Sequence, residues 1–182
     1  MIILGVIHLK GLPGSPSNKL NLEEITELAQ NDIDNLSKAG VNGIIVENFG
    51  DVPFVKNDVS KRTVASLTSV IQNLNIDSKL KLGVNVLRND GIAALSIAEA
   101  TNADFVRINV LNNVMMFTDQ GLIEGEAHEI AEFKKNLNKD IEIYADVFVK
   151  HAVPPEGSKI ENHAEELINR AGADVVIVTG DG

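Results

Sequence analysis

The sequence contains no cysteine and no tryptophan among its 182 residues, and aromatic side chains make up only 4% of it. Without cysteine the chain can form no disulfide, no thiolate nucleophile and no thiolate metal site. Basic residues are also scarce, since 16 Lys and Arg stand against 26 Asp and Glu, which gives a formal net charge of −10. The basic footprint of a nucleic-acid-binding protein is therefore missing, and we expect no nucleic-acid partner.

Long apolar runs are missing as well. No segment approaches the roughly 18 apolar residues of a membrane-spanning helix. The apolar N-terminus, residues 1–9, is too short for a secretion signal and lacks a leading basic cluster. We therefore predict a cytoplasmic protein whose only membrane contact would be peripheral. The 44% of hydrophobic and 23% of charged residues are ordinary for one globular domain with a buried core.

Short runs rich in Val and Ile alternate with longer segments of helical period, which predicts βαβ units around a parallel sheet. Strands are predicted at residues 2–8, 43–47, 81–86, 105–110, 141–149 and 174–179, and helices at 22–39, 64–74, 92–100, 126–137 and 161–171. Asn21 and Asp90 are predicted N-caps, and Gly40 and Gly172 suit left-handed turns at helix ends. The fold class is therefore α/β, as an incomplete TIM-type (β/α) barrel with about six of eight units.

Polar side chains occupy alternate positions near the ends of four consecutive predicted strands. Successive side chains of a strand point to opposite faces, so residues of equal parity share a face. The face predicted to line the barrel interior carries Glu47, Asn85, Arg107, Asn109, Tyr144, Asp146, Phe148 and Lys150. The opposite positions are apolar and should face the helices: Val84, Val106, Ile108, Ala145 and Val147. Long polar loops follow the strands, which marks these strand ends as the functional face.

Two interpretations of this polar set are open. In the first, Glu47, Arg107 and Asp146 form a buried ion-pair network with a structural role, because unpaired buried charge is costly. In the second they belong to a ligand site, where Glu47 and Asp146 act as acid/base groups and Arg107 and Lys150 steady negative charge. The substrate-binding candidates on these strands are Asn85, Arg107 and Asn109. We favour the ligand site, since barrel cores are normally filled with Val, Ile and Leu.

Further candidates lie at the same strand ends. His8 closes the first strand as a catalytic candidate, and the glycines of residues 10–16 can bring backbone N–H groups to an anion; an ordinary loop histidine is the alternative. Lys150 and His151 close the fifth strand, where Lys150 suits an electrophilic cation or a Schiff-base amine and His151 a substrate contact. Thr179, at the end of the sixth strand, is another substrate-binding candidate.

The loop of residues 118–125 carries Asp119 and Glu124 between two glycines, a composition typical of a lid or ligand loop and equally of a solvated turn. Asp119 and Glu124 are accordingly substrate-binding candidates. Glu47 and Asp146 together with histidines also suit a divalent cation, although no spacing typical of a metal motif accompanies them. The sequence implies no other cofactor.

A series of ordered motifs covers the whole chain: VIHL and LPGSP in residues 6–16, VENFGD and PF in 46–54, GVNVLRND in 83–90, FVRINV in 105–110, the loop 118–125, ADV and VKHA in 145–152, and VIVTG in 176–180. In these motifs the sequence resembles the BtpA/SgcQ family. The resemblance implies a barrel of the ribulose-phosphate-binding kind. In photosynthetic hosts it also implies a peripheral thylakoid protein needed for photosystem I accumulation, and in sugar-metabolism settings a barrel enzyme.

We therefore expect an enzyme, a lyase, isomerase or transferase, that acts on a small, anionic, phosphorylated sugar-like ligand. A non-catalytic assembly or stability factor of the photosystem I biogenesis type is the alternative. Family chains continue for two more βα units, so residues 1–182 are expected to form one domain truncated at its C-terminus. Such a chain would lack the phosphate cradle that barrels place after strands seven and eight, and would self-associate through its open edges.

Overall fold

The structure, a computed structural model, describes residues 1–179. Nine strands are found in these residues: β1 (Leu4–His8), β2 (Gly43–Glu47), β3 (Lys81–Asn85), β4 (Phe105–Ile108), β5 (Val114–Phe117), β6 (Gly121–Glu124), β7 (Glu142–Val147), β8 (Ala152–Val153) and β9 (Val175–Val178). Six of them form one parallel sheet in the order β1-β2-β3-β4-β7-β9, which curls into a half-barrel. The six predicted barrel strands are confirmed, with ends that differ by at most two residues.

Five helices connect the strands of the half-barrel: α1 (Leu22–Lys38), α2 (Lys61–Gln72), α3 (Gly91–Thr101), α4 (Ala127–Lys134) and α5 (Ile160–Asn169). The predicted caps are confirmed, since Asn21 forms a capping box with Glu24, and Asp90 accepts a hydrogen bond from the N–H of Ala93. Gly40 follows α1 with a φ of 82°, in the left-handed region that glycine adopts without strain. None of the helices in residues 1–179 is long and apolar enough to cross a membrane.

The main hydrophobic core lies between the convex face of the sheet and the helices. It contains the alternate strand residues predicted to face the helices, including Val84, Val106, Ile108, Ala145 and Val147. On the α1 side it takes Ile25, Ala29 and Ile33. Because the apolar side chains of each strand pack in this core, the side chains at the alternate positions line the concave face.

A second, smaller sheet was not predicted. β6, β5 and β8 pair in an antiparallel sheet of three strands, built from the loop after β4 and the loop after β7. Its inner side forms a separate apolar cluster: Val110, Met115, Phe117, Ile123 and Val149. The loop 118–125 is therefore largely the turn and second strand of a hairpin that has its own apolar core.

Candidate functional site

The parallel register of the sheet creates a row of polar side chains along its C-terminal edge. His8 pairs with Glu47, Glu47 with Asn85, and Asn85 with Arg107, each on the adjacent strand. Because register partners share parity, the four side chains project from the same concave face. These four side chains therefore lie at one rim of the sheet, as strand parity predicts.

Arg107 lies at the centre of the row and joins two carboxylates from other strands. Its Nε donates to Oδ1 of Asp146 at 3.1 Å and its Nη2 donates to Oδ2 at 3.0 Å, which is a bidentate pair. Its Nη1 donates to Oε1 of Glu47 at 2.9 Å. Asn109 donates from Nδ2 to Oδ2 of Asp146 at 2.8 Å, and Asn85 donates to Oδ1 of Asn109 at 3.2 Å. The guanidinium therefore holds Glu47 and Asp146 in one network.

This network is buried, and its charges do not balance. The side chains of Glu47 and Asp146 are 4% and 0% exposed, and that of Arg107 is 18% exposed. Burial raises the pKa of Glu47 and the pKa of Asp146 above their ordinary values, although Arg107 opposes both shifts. Burial would lower the pKa of Arg107, but the two carboxylates outweigh it and raise that pKa. One guanidinium thus faces two carboxyl groups whose pKa values burial raises.

The hydrogen bonds decide which carboxyl takes the proton more easily. Asp146 accepts three hydrogen bonds, two from Arg107 and one from Asn109, and each of them stabilises the ionised form. Glu47 accepts a single one from Arg107. Glu47 is therefore the group of the pair best suited to gain and lose a proton, while Asp146 anchors the guanidinium.

A cleft of about 230 Å³ opens above this network at the rim of the sheet. Most of its lining had been predicted to belong to the site: His8, Glu47, Asn85, Arg107, Asn109, Lys150 and His151. The rest had not: Phe49, Leu87, Arg88 and Val149. Asp146 is absent from the described lining, because Arg107 and Asn109 cover it. Asp146 therefore contacts Arg107 and Asn109 in this structure, and its predicted catalytic role remains a prediction.

His8 connects Glu47 to solvent. Its ring is stacked on Phe49 with the centroids 4.2 Å apart, and its Nε2 lies 3.5 Å from Oε2 of Glu47. The side chain is 52% exposed. His8 therefore lies between the buried carboxyl group of Glu47 and bulk solvent.

The end of β7 departs from the predicted alternation. Phe148 was expected on the concave face, but its φ of 50° turns the chain and its ring packs edge-on against His163 of α5, at 5.2 Å between centroids. The prediction for Phe148 was wrong because a left-handed residue breaks the strand parity. Lys150 and His151 still reach the cleft, where both are exposed.

Besides Asp146, three predicted site residues are not brought to the described lining of the cleft. Asp119 is exposed at the turn between β5 and β6, and Glu124 is exposed at the end of β6, where it pairs with Val114. Thr179 follows β9 as the last described residue. Their predicted contacts with a ligand remain predictions.

Arg88 is the functional candidate that the sequence prediction missed. It follows β3 by three residues, beyond the reach of strand parity, and only its place in the GVNVLRND motif could have drawn attention to it. Arg88 is 8% exposed, and its guanidinium carbon lies 4.5 Å from the ring centroid of Phe54 and 5.1 Å from that of Phe117. Burial lowers the pKa of Arg88, an effect that the charge of Asp119 opposes.

The described residues offer no cluster of three or more His, Asp or Glu side chains arranged to hold a metal ion. The two carboxylates considered for a divalent cation, Glu47 and Asp146, instead face the guanidinium of Arg107 from both sides. The divalent cation therefore gains no support from the side-chain geometry.

Comparison with known proteins assigns a family. The model of the BtpA family matches residues 1–182. An uncharacterized protein of Thermococcus kodakarensis is 48% identical over 178 residues, which are 98% of this chain and 67% of that protein. The photosystem I biogenesis protein BtpA of Synechocystis is 43% identical, over 98% of this chain and 62% of its own length.

A more distant relative is an uncharacterized mitochondrial protein of Caenorhabditis elegans, 33% identical over 98% of this chain and 67% of its own length. The chain thus spans about two thirds of the length of these relatives. No solved structure gives a significant match. With a family model that covers every residue and relatives that align over nearly all of it, the chain belongs to the BtpA family.

Proposed function

We propose that this protein is a barrel enzyme of the ribulose-phosphate-binding kind that performs proton transfer on a small, phosphorylated, sugar-like ligand. The observation that carries the proposal is Glu47, a buried carboxyl group with a raised pKa that lines an open cleft beside a fixed guanidinium. Perturbed carboxyl groups in clefts are typical of general acids and bases. A purely structural network would have no need of a cleft above it.

The groups around Glu47 suggest how the proton would move. In its ionised form Glu47 would accept a proton from a carbon atom beside a carbonyl group of a ligand in the cleft. The electrons left on the ligand oxygen would be stabilised by the Nη1–H face of Arg107 and by Lys150 at the rim. His8 would exchange the proton of Glu47 with water, and Asn85 and Asn109 would orient ligand hydroxyl groups. Return of the proton to another atom of the ligand gives an isomerase, and bond cleavage gives a lyase.

Solvent deuterium provides a direct test. We would screen sugar phosphates by ligand-detected NMR and then incubate each binder with the protein in D₂O. The expected result is exchange of one ligand C–H hydrogen for deuterium, lost by at least about a hundredfold in Glu47→Gln, since general base catalysis contributes about 10²–10⁴-fold. Glu27→Gln, at an exposed position of α1, is the matched control and should exchange normally. Binding without exchange in the wild type would refute the acid/base proposal.

The alternative is a non-catalytic assembly or stability factor. The name of the Synechocystis relative, photosystem I biogenesis protein, supports it at 43% identity. In that case the polar network only stabilises the fold. Silence across the whole sugar-phosphate panel, together with a changed melting temperature and changed partner capture in Glu47→Gln, would favour this alternative over the enzyme.

Self-association and a cytoplasmic location also remain proposals. In the described sheet β1 and β9 each pair with one neighbour, so each presents an unpaired backbone edge. Exposed parallel edges favour pairing with another chain. We expect size-exclusion chromatography with light scattering to show a mass above that of the 19.6 kDa chain. A sharp monomer peak that melts cooperatively would contradict the proposal.

A further inference from the structure

The cleft contains a cation that the proton-transfer proposal does not use. Arg88 is more than nine-tenths buried, yet none of its side-chain nitrogens makes a hydrogen bond to a residue in the described range 1–179, and its Nε is a buried donor without a partner there. No carboxylate among those residues lies within salt-bridge distance of it. A buried guanidinium normally finds such partners, because leaving a charged donor unsatisfied costs free energy.

The surroundings of Arg88 hold it in place without satisfying its donors. The rings of Phe54, from the loop after β2, and Phe117, from the hairpin strand β5, lie on it at 4.5 and 5.1 Å. Aromatic faces stabilise a guanidinium and fix its plane, but they accept no in-plane hydrogen bond. The edge of the guanidinium therefore remains available to a ligand in the cleft that Arg88 lines.

The charged side chains that line the cleft also favour an anionic ligand. Glu47 and Asp146 are both engaged with Arg107, which leaves Arg88 and Lys150 as cations without a carboxylate partner in the described structure. A protein of net charge −10 thus has a cationic spot inside its cleft. A planar fork of N–H donors is the group that binds phosphate and carboxylate oxygens with two parallel hydrogen bonds.

We infer that Arg88, which lies against the rings of Phe54 and Phe117, is the binding residue for an oxyanionic group of the ligand, and specifically for a phosphoryl group. The inference rests on the proposed function for the rest of the ligand. It places the phosphoryl group at the end of β3, with Lys150, which lines the same cleft, as a second cation. The distance between the phosphoryl group and Glu47 then selects which ligand carbon meets the base.

Inorganic phosphate is a sufficient probe. We would record backbone amide NMR spectra of the protein during titration with phosphate, against chloride at equal ionic strength. The expected result is saturable movement of the amide signals of Phe54, Arg88 and Phe117. Arg88→Met should weaken phosphate affinity at least about tenfold, the loss expected for a hydrogen-bonded charge pair. Arg170→Met, the same change at an exposed position after α5, should leave it unchanged.

Two further measurements keep the inference open to refutation. Arg88→Lys keeps the charge but loses the fork and should bind with intermediate affinity, which covers the case that Arg88→Met fails to fold. Acetate should bind more weakly than phosphate, and equal affinity would overturn the phosphoryl assignment. Phosphate binding by Arg88→Met within twofold of the wild type, or signal changes confined to surface lysines, would overturn the site itself.

The outcome is separable from that of the proposed proton transfer. Glu47→Gln should not weaken phosphate binding, because it leaves Arg88 and its two rings in place and removes a negative charge from the cleft. If no sugar phosphate is turned over but phosphate binding depends on Arg88, the enzyme proposal fails and the phosphoryl site stands. If turnover is found and Arg88→Met leaves KM unchanged, the phosphoryl site fails and the enzyme proposal stands.

Discussion

Replacement of Glu47 by Gln should make the protein more stable at alkaline pH, and this decides between a structural network and a working site. Burial raises the pKa of Glu47 in the folded state above its ordinary value of 4.5. A carboxyl group whose folded pKa is raised contributes stability that is fully present below pH 4.5 and is lost as the pH rises through the folded pKa. Gln is isosteric and neutral, and it still accepts from Nη1 of Arg107, so the variant avoids that loss.

The magnitude follows from linkage. Each unit by which the folded pKa exceeds its unfolded value corresponds to about 1.4 kcal/mol of lost stability at high pH. The difference in unfolding free energy between Glu47→Gln and the wild type should therefore be small near pH 4.5, grow as the pH rises, and level off once Glu47 is ionised in the folded protein. Groups that do not contact Glu47 or its network titrate alike in both proteins and cancel in this difference.

Urea denaturation at constant ionic strength, from pH 4.5 to 8, measures this difference. Glu27→Gln, an exposed replacement of the same kind, should give a difference that is flat with pH. If Glu47→Gln is instead less stable than the wild type at pH 8, and the gap closes towards pH 4.5, the pair with Arg107 is worth more than the burial costs. The network would then be structural, and Glu47 would lose its support as an acid/base group.

Three other perturbations test the surrounding structure. Arg107→Met leaves two buried carboxyl groups without a counter-charge and should lower the free energy of unfolding by about 3–5 kcal/mol at pH 8. Part of this stability should return at pH 5 or when Glu47→Gln is added. A loss that does not depend on pH in denaturant titrations would contradict the network. Gly50→Ala places a methyl group against the backbone of Gly11 and Leu9 and should lower the free energy of unfolding by about 1–3 kcal/mol, measured by thermal or urea denaturation. Unchanged stability would show that these loops can move apart. Phe117→Ala should open the β5–β6 hairpin and weaken phosphate affinity, while the main core persists. Amide hydrogen exchange should then become faster only in residues 114–124. Protection that is unchanged in these residues would contradict an independent hairpin core.

The half-barrel and its polar rim were predictable because strand parity is a local property. Apolar residues alternate with polar ones over Gly83 to Asn85 and over Val106 to Asn109, and a parallel sheet converts that alternation into two faces whatever the rest of the chain does. Helix caps such as Asn21 are equally local. The family resemblance rested on the same segments, and the match of the family model over the whole chain agrees with it.

Strand parity therefore predicts which strand residues share the concave face, with Phe148 as the exception, but what each of them contacts depends on how the chain folds. Strand parity predicts the same position for Glu47 and Asp146. In the structure Asp146 lies behind Arg107 and accepts three hydrogen bonds, whereas Glu47 lines the cleft. Arg88 acquires its role from Phe54 and Phe117, which lie 34 and 29 residues away along the chain and meet it only after folding. The physical reason is that burial, hydrogen-bond partners and unpaired charge depend on contacts between distant segments, which no periodicity in the sequence encodes.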